Sequence, residues 1–131
     1  MEIRAQVRNA PGQHAVSVRT AGNERTLDLP GKPSGGSAVN GGELLMLALA
    51  TCYCNDLYRE AARLGLVLDG VEVEASADFD GIGRGATNVR YRAKVQSSAP
   101  PEAIDELLRQ TDAVAEVHNT LRAGTPVTRV D

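Results

Sequence analysis

The stretch VNGGELLMLALATCYCNDLYREAARLGL, from Val39 to Leu66, constrains this chain more than any other. It contains no proline, so nothing in it forces a break, and it reads as one long helix over residues 40–65. Both cysteines of the protein, Cys52 and Cys54, sit near its middle. A thiol on such a helix is either inert core filling or a nucleophile shielded from bulk solvent. Much of the functional question turns on that choice.

Asn40 suits the N-cap, where its short side chain accepts from free backbone amides. Glu43 falls in the first turn, favourably placed against the helix dipole, and Asn40 with Glu43 has the spacing of a capping box. Every residue from Leu44 to Ala50 is apolar, which predicts burial all round. Beyond Asn55 the pattern turns amphipathic. Leu57, Ala61 and Leu64 are expected inward, and Asp56, Arg59, Glu60 and Arg63 toward water. Gly65 is the expected stop. The apolar part is too short for a bilayer, which takes ~20 residues.

The length suits a single domain spanning residues 1–131. Fourteen basic residues against 17 acidic ones leave a net charge of −3, with no block of either sign. A nucleic-acid partner, which calls for a clustered basic face, is therefore not expected. The N-terminus, MEIRAQVR, lacks the apolar core of a signal peptide. Two cysteines this close build no disulfide framework, so a reducing cytoplasm is the expected location. No tryptophan and one phenylalanine leave a core of Leu, Val and Ala. Such a core is thin, which points to further burial between subunits.

Residues 1–30 carry the N-terminal strands. Ile3–Val7 and Ala15–Arg19 alternate around Pro11-Gly12 as a hairpin, and Arg25–Leu29 reads as a third strand. Pro30–Ser37 is a loop by composition. Residues 68–97 form a long hairpin. Val71, Val73, Ala75, Ala77 and Phe79 alternate with acidic and polar residues. Val89, Tyr91, Ala93 and Val95 alternate with Arg90, Arg92, Lys94 and Gln96. Opposite charges then pair across the sheet, which sets register and neutralises the basic strand. Residues 101–131 hold a helix over Glu102–Gln110 with Ile104, Leu107 and Leu108 inward. A shorter helix follows over Asp112–Leu121 with Val114, Val117 and Leu121 inward, then a final strand over Pro126–Val130.

The segment NGGELLMLALATC resembles the N-P-x-E-L-L-x-x-A-L-A-A-C signature of the OsmC/Ohr family of osmotically inducible and organic hydroperoxide resistance proteins. The order downstream also matches: helix, Gly-Leu, long hairpin, PPEAIDELLRQ, then a short helix ending LRAGTPV. The resemblance implies an α+β fold, an intertwined homodimer with antiparallel sheets around long central helices and active sites at the interface. It implies reduction of hydroperoxides by a helix cysteine, which becomes a sulfenic acid and is resolved by a second cysteine. An Arg and a Glu support the thiolate, and external dithiols restore it. No cofactor is implied.

Residue by residue, Cys52 falls on the reactive position and Glu43 on the family's Glu. The family's C-P-V-S-x-x-L motif aligns with Ala115-Glu116-Val117-His118-Asn119-Thr120-Leu121, so Ala115 stands where the resolving cysteine belongs. The loop arginine has no counterpart, and Lys32 is the only cation at about that place. Asn40-Gly41 replaces Asn-Pro. Cys54 cannot resolve Cys52, because neighbours two apart on a helix point about 200° from one another. Cβ atoms must approach to about 3.8 Å for a disulfide. Cys54 is expected as packing.

Cys52 is then a lone thiol. A free cysteine has a pKa of ~8.5 and burial raises it unless a cation is near. Lys32 is one candidate, and His118, three residues beyond Ala115 on the same helical face, is another. A surface or helix-end histidine is the competing reading of His118, and a purely structural N-terminal carboxylate is that of Glu43. Cysteines and histidines are too few and scattered for a closed zinc site. Two functions stand against each other. One is a one-cysteine hydroperoxide reductase in oxidative-stress defence, recycled by an external thiol. The other is a catalytically degenerate dimer that binds a small apolar ligand at its interface.

Overall fold

A computed structural model describes the whole chain, Met1–Asp131, as an α+β protein. The chain divides into two compact units, Met1–Leu44 and Leu45–Asp131. No helix in it is long and apolar enough to cross a membrane.

The first unit is a three-stranded antiparallel sheet in the order β1 (Ile3–Ala10), β2 (Gln13–Thr20), β3 (Asn23–Leu27). Ala10 pairs with Gln13, leaving Pro11-Gly12 as a two-residue turn. Gly12 takes φ +76° there, a conformation glycine adopts without steric cost. The first two strands run longer than the alternation suggested, and the third keeps its expected length but lies two residues earlier. Ile3, Val7 and Leu27 are exposed, so the apolar side of this sheet is uncovered. In the following loop Asn9 clamps Gly36, donating from Nδ2 to its carbonyl at 3.2 Å and accepting from its N–H at 2.8 Å.

The long helix, α1, runs Gly41–Arg63 and begins at the end of the first unit. The Asn40–Glu43 capping box forms: the Glu43 N–H donates to Asn40 Oδ1 at 2.8 Å, and the Asn40 N–H to Glu43 Oε1 at 3.1 Å. The helix ends in a Schellman motif. Gly65 sits at φ +73°, with Leu66 N–H bonded to Ala61 O at 2.8 Å and Gly65 N–H to Ala62 O at 3.2 Å.

In the second unit β4 (Gly70–Asp78) and β5 (Thr87–Gln96) form the long antiparallel hairpin. Glu72 faces Lys94, and Glu74 faces Arg92 with a 2.7 Å ion pair, so the charge pairing sets the register as expected. α2 (Pro101–Val114) and α3 (Glu116–Arg122) follow. The core joins Tyr53, Leu57 and Ala61 of α1 to Leu107 of α2 and to Ala115. Val71, Val73, Tyr91, Ala93 and Val95 of the hairpin pack against it. Tyr53 Oη donates to Leu108 O at 2.8 Å, so the phenol is buried without an unmet donor.

Four expectations need correction. Leu44–Ala50 is not buried all round, because Leu47 is 58% exposed; the single chain has no layer over that flank. Asp56 and Glu60 do not face water but are 5% and 7% exposed. Ion pairs carry both inward: Arg59 lies 3.0 Å from Asp56, and Arg63 lies 3.0 Å from Glu60. The last two helices break at Ala115, so Ala115 and His118 point inward while Val114 and Leu121 are 42% and 41% exposed. Pro126–Val130 forms no strand and is exposed.

Candidate functional site

Cys52, Asp56 and Arg59 lie at i, i+4 and i+7 of α1, a spacing that puts all three on one helix face. The extended backbone of Ala115, φ −68° and ψ 110°, ends α2 and turns α3 so that it starts beside this face. Cys52 Sγ lies 3.6 Å from Asp56 Oδ2 and 3.8 Å from Glu116 Oε2. Arg59 takes the outer oxygens: its Nη1 is 3.0 Å from Asp56 Oδ1 and 3.1 Å from Glu116 Oε1. One guanidinium thus clamps two carboxylates whose inner oxygens face the thiol.

The electrostatics of this group are those of a held proton. Burial pushes the Cys52 thiol up; the Val117 N–H opposes this, and the Asp56 and Glu116 carboxylates push it further up. Burial also raises Asp56, reinforced by its hydrogen bond with Glu116 and opposed by Arg59. Glu116 is held down by its own backbone N–H, by Asp56 and by Arg59. The two carboxyls are therefore unequal, and Asp56 takes a proton first. A carboxylate of raised basicity 3.6 Å from a thiol is placed to accept its proton.

Of the residues expected at the site, Cys52 alone is in this group. His118 is buried at 3% exposure rather than at the surface. Its ring packs on Tyr53 and Tyr91, with centroids 5.6 and 4.5 Å away. Both its nitrogens lack a hydrogen-bond partner, so it does not bond the thiol. Burial and then Arg122 lower its pKa, against Asp112. Glu43 is engaged in the capping box. The backbone of Lys32 receives N–H groups of Gly12 and Gly35 at 3.0 and 3.1 Å. Both residues belong to the first unit. Cys52 and Cys54 are both free thiols.

Asp56, Arg59 and Glu116 were not singled out from the sequence. The i, i+4, i+7 spacing of the first two with Cys52 was available as a signal, but their charge read as a solvated face. Glu116 carried no local signal. The ligating atoms of Cys52, Asp56 and Glu116 all lie within 4.8 Å of one another. A count of cysteines and histidines overlooks such a mixed set. Here Arg59 already occupies one oxygen of each carboxylate.

Residues 34–129 match the family model described as OsmC-like protein. No curated protein matches the chain. Among solved structures, an organic hydroperoxide resistance protein OsmC from Legionella pneumophila is 17% identical with a TM-score of 0.63, over 93% of this chain and 90% of that one. An OsmC like protein from Mycoplasma pneumoniae is 16% identical with a TM-score of 0.62, over 93% and 89%. A putative organic hydroperoxide resistance protein from Vibrio cholerae, with captopril bound in one of its active sites, is 19% identical with a TM-score of 0.60, over 93% and 85%. At these identities the structural likeness speaks for the fold.

Proposed function

We propose that this chain, which belongs to the OsmC-like family, is a thiol-dependent hydroperoxide reductase with Cys52 as its lone peroxidatic cysteine. The observation that carries this reading is the Cys52–Asp56–Glu116 group clamped by Arg59. Asp56 accepts the thiol proton. The thiolate sulfur attacks the distal oxygen of the hydroperoxide, an S–O bond forms, and the O–O bond breaks. The departing alkoxide takes the proton back from Asp56 and leaves as the alcohol. Cys52 is left as the sulfenic acid. One external thiol converts it to a mixed disulfide with loss of water, and a second releases Cys52 as the thiol. In this reading Arg59 holds the carboxylates in register, and an external reductant takes the part of the cysteine that Ala115 replaces. Lys32 and Glu43 enter no step.

Homodimerisation belongs to the same reading. The exposed Leu47 flank of α1 and the uncovered Ile3, Val7 and Leu27 of the first sheet are apolar surfaces that a second copy covers. A reducing cytoplasm supplies the external thiol.

The upward push on the Cys52 thiol favours a second reading, a dimer that binds a small apolar ligand without turnover. The two separate in one experiment. Reduced protein carrying Cys54→Ser is mixed with one equivalent of cumene hydroperoxide, and thiol loss and dimedone trapping are followed by mass spectrometry. Loss of one thiol per peroxide, with the adduct on Cys52, is the expected result. A Cys52 thiol that survives the peroxide untouched would sink the reductase.

A further inference from the structure

Glu60 is a buried carboxylate of α1 that no step at Cys52 uses. Replacing a buried ion pair by apolar side chains of similar volume is often neutral or stabilising. Stability alone therefore does not explain a carboxylate at this place. Glu60 stands four residues beyond Asp56, on the next turn of the same helix face.

Its two oxygens are held by different arginines. Oε2 accepts from Arg59 Nε at 3.3 Å. Oε1 accepts from Arg63 Nε at 3.1 Å and lies 3.0 Å from Arg63 Nη2. Arg63 Nη2 also donates to Gln110 Oε1 of α2, and Gln110 Nε2 donates to Glu106 Oε1 at 2.7 Å. Glu60 is thus tied to a second helix through Arg63. Arg59 is half exposed, and a long side chain in water loses rotamer freedom when it is fixed. Apart from Asp56 and Glu116, the two carboxylates it clamps, Glu60 is its only partner. The guanidinium is planar and rigid, so a partner on Nε sets the plane and with it the direction of Nη1. Nη1 is the group that meets Asp56 Oδ1 at 3.0 Å and Glu116 Oε1 at 3.1 Å.

We propose that Glu60 is a positioning residue for the Cys52 site, holding Arg59 against Asp56 and Glu116 and acting on the thiol only through it. The role rests on Cys52 being the peroxidatic cysteine. Arg59 holds down the proton affinity of Asp56. Without Glu60 the guanidinium turns to water, and Asp56 and Glu116 face one another uncompensated. Asp56 then keeps a proton that it must be free of to take one from Cys52. A bystander carboxylate has the opposite signature, because removing a nearby negative charge makes Asp56 easier to ionise.

The test is a titration of Asp56 in the full-length protein, read by nuclear magnetic resonance from its carboxyl-carbon signal. It compares the parent with Glu60→Gln, Arg59→Gln and the double variant. Glu60→Gln keeps the shape and removes the charge, and the Asp56 midpoint should rise by about one pH unit. The acid limb of Cys52 oxidation by cumene hydroperoxide should move with it. Arg59→Gln should give a rise at least as large, and adding Glu60→Gln to it should raise the midpoint no further. A midpoint that falls or stays in Glu60→Gln, or a further rise in the double variant, would overturn the proposal. If Glu60→Gln fails to fold, hydrogen exchange at Arg59 Nε in the parent decides. It should be at least about tenfold slower than at the exposed Arg129, and equal rates would overturn the proposal. If Asp56 moves as expected while Cys52 ignores the peroxide, the reductase reading falls and the hold of Glu60 on Arg59 stands.

Discussion

Replacing Asp56 with asparagine should move two rates at Cys52 in opposite directions. Asp56 Oδ2 lies 3.6 Å from the sulfur. A unit charge there costs a thiolate on the order of 4–5 kcal/mol at an effective dielectric of ~20. Solvent around the half-buried thiol screens much of that; a remainder of roughly 1.4 kcal/mol corresponds to a factor of about ten in thiolate. Asp56→Asn keeps the shape and removes the charge. Iodoacetamide alkylation, which needs only thiolate, should therefore rise about tenfold at pH 7. Oxidation by cumene hydroperoxide also needs a group that takes and returns a proton, a role worth on the order of 10²–10⁴. That rate should fall by at least about tenfold even after the gain in thiolate. Both rates are read by stopped flow on the Cys54→Ser background. If both rise together, Asp56 merely suppresses the thiol and the proton relay is wrong. If both fall, Asp56 serves the fold and not the chemistry.

Leu57→Ala empties a fully buried position of the core and should cost about 2–5 kcal/mol in urea unfolding; a loss under about 1 kcal/mol would contradict the assigned core. His118 is held neutral by burial, so the folded state binds its proton less readily than the unfolded chain. The stability this gives is complete above the ordinary histidine value of ~6.5 and drains away as pH falls below it. Urea midpoints measured from pH 7.5 to 5 should drop for the parent and flatten for His118→Phe, and parallel curves would refute the assignment. Arg92→Ala removes a cross-strand pair whose partners are exposed and should leave the urea midpoint nearly unchanged; a large fall would contradict its surface role. Cys54→Ser should leave the peroxide reaction of Cys52 unchanged, and loss of that reaction would give Cys54 a part in it.

Local rules carried the elements. Capping residues Asn40 and Glu43 and the stop at Gly65 are readable because a helix end is settled by its own few residues. The β4–β5 register followed from facing acidic and basic strands, since a slip of one residue would reverse every face. Burial that depends on distant groups leaves no such local mark. Asp56 and Glu60 read as solvated because their charge is local, while the arginines and packing that make their burial tolerable are set by the fold. Pro126–Val130 has strand-like composition but pairs with no strand of the chain, and a strand without a partner gains nothing from its propensity.

The sequence by itself determined the order of the elements as far as α3, the approximate bounds of α1 and the hairpin register. Those depend on periodicity, capping and charge within short windows. Only the tertiary structure decided what surrounds the Cys52 thiol. Glu116 reaches Cys52 because the chain breaks at Ala115 and lays α3 beside α1. His118 lost its place at the surface for the same reason, turning inward against Tyr53 and Tyr91. Contacts across such separations in sequence are fixed by packing, and packing leaves no local mark on the residues it brings together.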